Sequence, residues 1–139
     1  MAKWHPGSHG GTYGGNIVAC AAAVATLQAM RDENMIENAA SMGVLLMSGL
    51  RRLQEDHPEI GDVRGLGLMV GTEFTSPTGA PWTERAKAVA HACLDKDLML
   101  ITCGAWDNTI RWIPPLIVDD TQIRQALSVF EEALGAAAA

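Results

Sequence analysis

Two stretches of this sequence carry residue types that can do chemistry. The first is Pro6-Gly7-Ser8-His9-Gly10-Gly11-Thr12-Tyr13-Gly14-Gly15-Asn16, which runs directly into an Ala-rich segment. Glycines ahead of a helix leave backbone N–H groups accessible, and Ser8 and Thr12 add hydroxyls, so such a loop can hold a phosphate without a cation. The same composition also describes a solvated turn, and the loop has neither the P-loop pattern nor the dinucleotide fingerprint. The second stretch is Asn108-Thr109-Ile110-Arg111-Trp112-Ile113-Pro114-Pro115-Leu116. In a short strand Arg111 faces one side while Ile110 and Trp112 face the other. Its guanidinium fork suits a substrate carboxylate if that side is a cleft; otherwise Arg111 is an edge-strand arginine facing water.

The remaining candidates are weaker. His5 and His9 are four apart on a loop and lack the third ligand that a metal site wants. His57 stands at a helix end and His91 on the outer part of a helix, while Asp62, Glu73 and Asp107 are scattered too widely for spacing to make an acid/base pair. Tyr13 either stacks at the loop or anchors it. Cys20, Cys93 and Cys103 include no Cys-x-x-Cys pair, and all three read as small core residues in a reducing compartment.

The elements that must position these residues follow from periodicity. Five of the 14 glycines fall in the first fifteen residues, marking an opening loop. Asn16 to about Glu33 reads as a helix capped by Asn16 and apolar on nearly every face, which predicts burial all round. Ile36, Ala40, Gly43, Met47, Leu50 and Leu53 recur every three or four residues and predict an amphipathic helix ending near His57-Pro58. Leu66, Leu68, Val70 and Thr72 alternate with Gly65, Gly67, Met69 and Gly71, predicting one strand with a nearly bare second face. A helix over Thr83–Asp97 with Thr83 as cap follows, then strands over Met99–Thr102 and Thr109–Ile113. Asp119-Asp120-Thr121 opens a last helix with Ile123, Ala126, Leu127, Phe130 and Leu134 on one face. The Ala136–Ala139 tail reads as a frayed end. The expected fold class is α/β (α+β), a small sheet with helices packed on one face.

Composition narrows the function classes. The 139 residues are 48% hydrophobic with a net charge of −6, which suits a globular chain and gives no basic face for nucleic acid. The most apolar stretch, Ile17 to Ala25, is far shorter than the roughly 20 residues a membrane span needs. The N-terminus has no charged-then-apolar signal pattern, so a cytoplasmic location is expected.

Taken in order, the opening loop and Ala-rich helix, the run Asp62-Val63-Arg64-Gly65-Leu66-Gly67-Leu68-Met69-Val70-Gly71-Thr72-Glu73, and Ile110-Arg111-Trp112-Ile113-Pro114-Pro115-Leu116 resemble the C-terminal part of class III pyridoxal-phosphate-dependent aminotransferases of the 4-aminobutyrate aminotransferase-like branch. The resemblance runs from about Trp4 to Leu134. It implies the C-terminal small domain of a fold-type I transferase over residues 34–139, preceded by a remnant of the cofactor-binding large domain over residues 1–33. It implies that Thr12 contacts the phosphate of pyridoxal 5'-phosphate in the neighbouring subunit of a homodimer, with Ser8, Gly11 and Tyr13 shaping the loop. It implies that Arg111 clamps a substrate carboxylate and that Gly104 corresponds to a glycine often found before the arginine strand.

The resemblance also implies transfer of an amino group from an amine or ω-amino acid to a 2-oxo acid. Ile17 replaces a proline common after the Gly-Gly-Asn run, a mild change at a helix start. More consequential, the family's cofactor-bearing lysine lies upstream of the threonine loop. This chain has only Lys3, Lys87 and Lys96, and Lys3 stands too close to the loop to fill that role. The chain is therefore expected to lack an upstream large-domain segment and to be inactive alone. The other readings are a non-catalytic binding or regulatory module that keeps the small-domain fold, and a structural domain whose glycines serve packing only.

Overall fold

A helix begins where Asn16 can satisfy its first free amides: the Asn16 side chain accepts from the Ala19 N–H at 3.0 Å, and α1 runs over Ile17–Asp32. It stops where Asn34 takes a left-handed backbone (φ 49°) and the amides of Glu33 and Asn34 close onto Ala29 and Arg31. The computed structural model describes residues 3–8, 10–12 and 14–136, and the chain divides into two units, Met1–Met35 and Ile36–Ala139. Within the first unit α1 has no second element to cover it. None of its residues is buried, contrary to the expectation that an all-apolar helix is enclosed, and Cys20 is exposed rather than a core residue. His9, Tyr13 and most of the Ala136–Ala139 tail lie outside the described residues.

The second unit builds its own core. Helix α2 spans Met35–Asp56 and buries Gly43, Leu46, Leu50 and Leu53, one stripe at three- and four-residue spacing. Ile36, expected on that stripe, is 66% exposed. Strand β1 spans Ile60–Leu66 and β2 Met69–Phe74, paired antiparallel from Asp62↔Glu73 to Leu66↔Met69. This corrects the reading of Leu66–Thr72 as one strand: the chain reverses at Gly67 and Leu68. Gly67 holds φ +55°, and a Cβ at Gly43 would overlap its carbonyl, so α2 lies directly on this turn.

Helix α3 covers Thr83–Leu94, shorter than expected. Its N-cap is Trp82, with no side-chain cap bond, and the Thr83 hydroxyl instead donates to the Trp106 carbonyl at 2.5 Å. Strands β3 (Ile101–Cys103) and β4 (Thr109–Trp112) complete a sheet of order β1-β2-β4-β3. Helix α4, Asp120–Ala136, starts with a reciprocal cap in which Asp119 accepts from the Gln122 amide at 2.8 Å and Gln122 accepts from the Asp119 amide at 3.1 Å. Helices α2, α3 and α4 bury their apolar faces with Val70, Phe74, Ile110 and Trp112 of the sheet, so one sheet face is cored and the other is open. That is the mixed helix and small-sheet architecture expected.

Candidate functional site

In the first unit the opening loop is exposed. Ser8 turns back on His5, whose carbonyl accepts from both the Ser8 amide (3.0 Å) and the Ser8 hydroxyl (2.7 Å). The Thr12 hydroxyl has no hydrogen-bond partner among the described residues, and a Cβ at Gly10 or Gly11 would meet nothing within 4 Å. The backbone here is therefore open to close approach, and a hydroxyl is ready to donate. Those properties suit the phosphate end of a cofactor.

Arg111 lies in the second unit. Its neighbours Ile110 (0% exposed) and Trp112 (3%) point into the core, which forces Arg111 onto the open face. The strand is held tightly. The Trp112 indole donates to the Thr72 hydroxyl at 3.0 Å and meets the Phe130 ring edge-on, centroids 5.1 Å apart. Buried Asn108 donates from its side chain to the Phe74 carbonyl at 2.9 Å. Beyond the strand, Asn38 of α2 donates to the carbonyls of Leu116 (2.8 Å) and Val118 (2.9 Å), fastening the diproline loop. Arg111 is also among the residues lining a largely apolar cavity of about 400 Å³ between the ends of β3 and β4 and the start of α4, with Leu98, Ile101, Trp112, Ile113 and Ile123. Among the described residues it makes no ion pair.

Gly104 sits in the β3–β4 turn with φ +88°, past the Cys103↔Thr109 pair, whereas Arg111 pairs with Ile101 further along the ladder. The turn is tied to its surroundings by Asp107, which accepts from Thr102 (3.0 Å) and pairs with Lys87 (2.9 Å). Those two contacts, Lys87 first, hold the Asp107 carboxyl below its ordinary value. Lys96 is bound to Glu132 at 2.7 Å, which raises its pKa and keeps the amine protonated.

Two clusters escaped the sequence reading. Asp62 and Glu73 come together on the open face around Arg64, whose Nη1 meets them at 2.7 and 2.6 Å; these bonds push the guanidinium above its ordinary value. Arg85, nearly buried on α3, donates to Glu59 at 2.6 Å and to the Leu134 carbonyl at 2.7 Å, with His57 3.7 Å from the same carboxylate. Burial alone would raise the Glu59 pKa, but the Arg85 hydrogen bond, a backbone bond and the charges of Arg85 and His57 outweigh it, and the carboxyl sits below its ordinary value. Cys93 is buried, which pushes its thiol up to about 11 and leaves it inert at neutral pH. Among the described residues no group of three His, Cys, Asp or Glu side chains can hold a metal ion, and no helix is long and apolar enough to cross a membrane.

Known proteins resemble this chain in sequence and fold over nearly its whole length. The 4-aminobutyrate aminotransferase GabT of Escherichia coli (strain K12) is 40% identical over 129 residues, covering 91% of this chain and 30% of that protein. The 5-aminovalerate aminotransferase DavT of Pseudomonas aeruginosa is 39% identical, with the same 91% and 30% coverage. An aminotransferase of Bacillus anthracis superposes with a TM-score of 0.84 at 32% identity, over 93% of this chain and 30% of that one. The chain thus spans about a third of the length of these relatives. The sequence model described as aminotransferase class-III matches residues 1–134, from the opening loop through Arg111 and into the last helix, and the chain belongs to that family.

Proposed function

We propose that this chain is the C-terminal part of a pyridoxal-phosphate-dependent aminotransferase that moves an amino group from an amine or ω-amino acid, 4-aminobutyrate-like, to a 2-oxo acid. Residues 1–33 are then a piece of the large cofactor domain and residues 34–139 the small domain. The observation that carries the reading is Arg111: an arginine fixed by a rigid strand on an open sheet face, with no carboxylate partner among the described residues. An unpaired guanidinium in that position is suited to receive a ligand carboxylate bidentately. Two relatives carry names that specify amino acids with a carboxylate remote from the amine, 4-aminobutyrate and 5-aminovalerate.

Thr12, with Ser8 and Gly11 shaping its loop, would hold the cofactor phosphate through hydroxyl and backbone donors. Gly104 shapes the turn that leads into the arginine strand. The cofactor, when bound, supplies the electron sink that labilises the bond to the substrate's amino-bearing carbon. The lysines here are poorly suited to carry it: Lys87 and Lys96 are engaged by Asp107 and Glu132, and Lys3 stands close in sequence to the threonine loop. The carrier lysine then belongs to polypeptide other than these 139 residues, and the chain alone is inactive. The exposed apolar side chains of α1, among them Ile17 and Val18, support a homodimer built through the loop and this helix.

The carboxylate assignment is tested by titrating pentanoate into the chain and following arginine Nε resonances by NMR. Arg111 is expected to shift saturably, and Arg111→Gln to weaken binding at least about tenfold, from loss of a charge-assisted pair worth about 1.5–3 kcal/mol. Equal binding by the Gln variant overturns the assignment.

A further inference from the structure

The antiparallel register lays one row of positions straight across the open sheet face. Arg64 on β1 pairs with Gly71 on β2, Gly71 with Arg111 on β4, and Arg111 with Ile101 on β3. Alternation puts all four on the same side, because Val63, Thr72 and Ile110, one step along each strand, are buried in the core. With strands about 4.8 Å apart, the two arginine Cα atoms stand about 10 Å from each other, and the position between them has no side chain. The next row holds Asp62, Glu73, Thr109 and Cys103.

The two arginines are not equivalent. Arg64 is gripped by Asp62 and Glu73 at 2.7 and 2.6 Å, so the three groups together carry one net negative charge. Arg111 has no such partner among the described residues. The cation that would otherwise compete for an arriving anion is already neutralised: Asp62 stands on β1, across Gly71 from Arg111, and Glu73, on β2 two residues from Gly71, turns its carboxylate to Arg64.

Building on the assignment of Arg111 as carboxylate clamp, we infer that Gly71 and the Asp62–Glu73 pair set its selectivity: Gly71 keeps the lane in front of Arg111 clear, and the two carboxylates withdraw Arg64 so that the face accepts one carboxylate per ligand. The ligand class is an acid with a single carboxylate on this face. A dicarboxylate long enough to bridge both arginines meets Asp62 and Glu73 instead, and like charges oppose its second end. A side chain at position 71 would fill the lane. Even a Cβ there comes within 3.1 Å of Thr109 Cγ2, so Thr109 would have to shift by a few tenths of an ångström.

The test uses the 139-residue chain with two probes of equal length, pentanoate and glutarate, read at arginine Nε by NMR. In the unaltered chain Arg111 should shift with either probe, Arg64 should stay still, and glutarate should gain no more than the statistical factor of about two from its second carboxylate. Gly71→Leu should weaken both probes about tenfold and Gly71→Ala less. The double variant Asp62→Asn, Glu73→Gln should let Arg64 shift too and should tighten glutarate relative to pentanoate by about fivefold or more. If Gly71→Leu does not fold, as judged by its amide spectrum, Gly71→Ala and the double variant decide. Loss of binding in Arg111→Gln combined with unchanged binding in the Gly71 variants, or with glutarate already about tenfold tighter in the unaltered chain, overturns this inference and leaves the clamp standing. Unchanged binding in Arg111→Gln, or no binding of either probe to the unaltered chain, removes the clamp and this inference with it.

Discussion

Helices α1 and α2 are adjacent in sequence and both rich in Ala, Leu, Met and Val, yet α1 buries nothing and α2 buries Gly43, Leu46, Leu50 and Leu53. α1 is the more apolar of the two, so burial follows the arrangement of apolar surface and not its amount. α2 alternates its apolar stripe with Glu37, Ser41, Arg51, Arg52 and Glu55, so the chain itself supplies both the surface it packs on and the face it gives to water. α1 keeps no polar face, leaving Ile17 at 85% and Val18 at 78% exposed. A helix of that kind is completed by a surface from elsewhere, whereas the second unit closes its core from its own residues. The phosphate-suited loop belongs to the incomplete region and the carboxylate-suited arginine to the complete one.

The sharpest way to break this contrast is to remove an apolar side chain from each region. Phe130 is fully buried and packs edge-on against Trp112, so Phe130→Ala should cost about 3–5 kcal/mol, transfer and cavity together. Leu27 is 63% exposed, and Leu27→Ala should change stability by less than about 0.5 kcal/mol. Denaturant unfolding followed by tryptophan fluorescence measures both. Comparable losses would show that α1 is enclosed in solution and that the two regions do not differ.

A smaller effect, and one specific to the complete region, comes from Glu59 and Arg85. Arg85 has its Nη1 buried without a partner, so its charge depends on Glu59 and the Leu134 carbonyl. Glu59→Gln should destabilise by about 3 kcal/mol at pH 7, toward the low end for breaking a buried pair because the carbonyl remains. The folded pKa of Glu59 lies below the ordinary 4.5, so its contribution is in full force above pH 4.5 and is lost as the pH falls through the folded value. The gap between variant and unaltered chain should therefore be constant from pH 7 to 5 and shrink below 4.5. A gap that stays constant into strong acid would mean that the carboxylate charge contributes nothing.

Much of this was legible in the sequence because local signals and tertiary packing agree. Asn16 starts α1 as its amide side chain predicts, and Gly43, Leu50 and Leu53 of the predicted α2 stripe are buried. One group of misses has its origin in the Gly67-Leu68 reversal. A single strand through Leu66–Thr72 preserves the alternation of Val70 and Thr72, so periodicity alone does not reveal the turn. Once the turn is placed, position 62 must face 73 and 64 must face 71, and the Asp62–Arg64–Glu73 cluster follows from register. The Arg85–Glu59 pair had no comparable signal: an arginine on the first turn of a short helix reads as solvated, and its burial depends on where α4 ends. The burial of α1 was expected from its composition alone, which reports what a helix needs rather than what a chain provides.

The smallest expected effect separates the two regions most cleanly, because it compares like with like. Asn16 and Asp119 are both N-caps, accepting from Ala19 N at 3.0 Å and Gln122 N at 2.8 Å. Each is worth about 1 kcal/mol to its helix. In α4 the cap is coupled to a packed core through Ile123 and Phe130, so Asp119→Ala should lower the global unfolding free energy by about that amount. In α1 no buried residue couples the helix to a core, so Asn16→Ala should leave the global transition unmoved. Its cost should appear only as faster amide exchange over Ile17–Asp32. Hydrogen exchange and denaturant unfolding on the same two variants decide the matter. If Asn16→Ala lowers the global midpoint as much as Asp119→Ala does, the first region unfolds with the second, and its apolar helix is already covered within the chain.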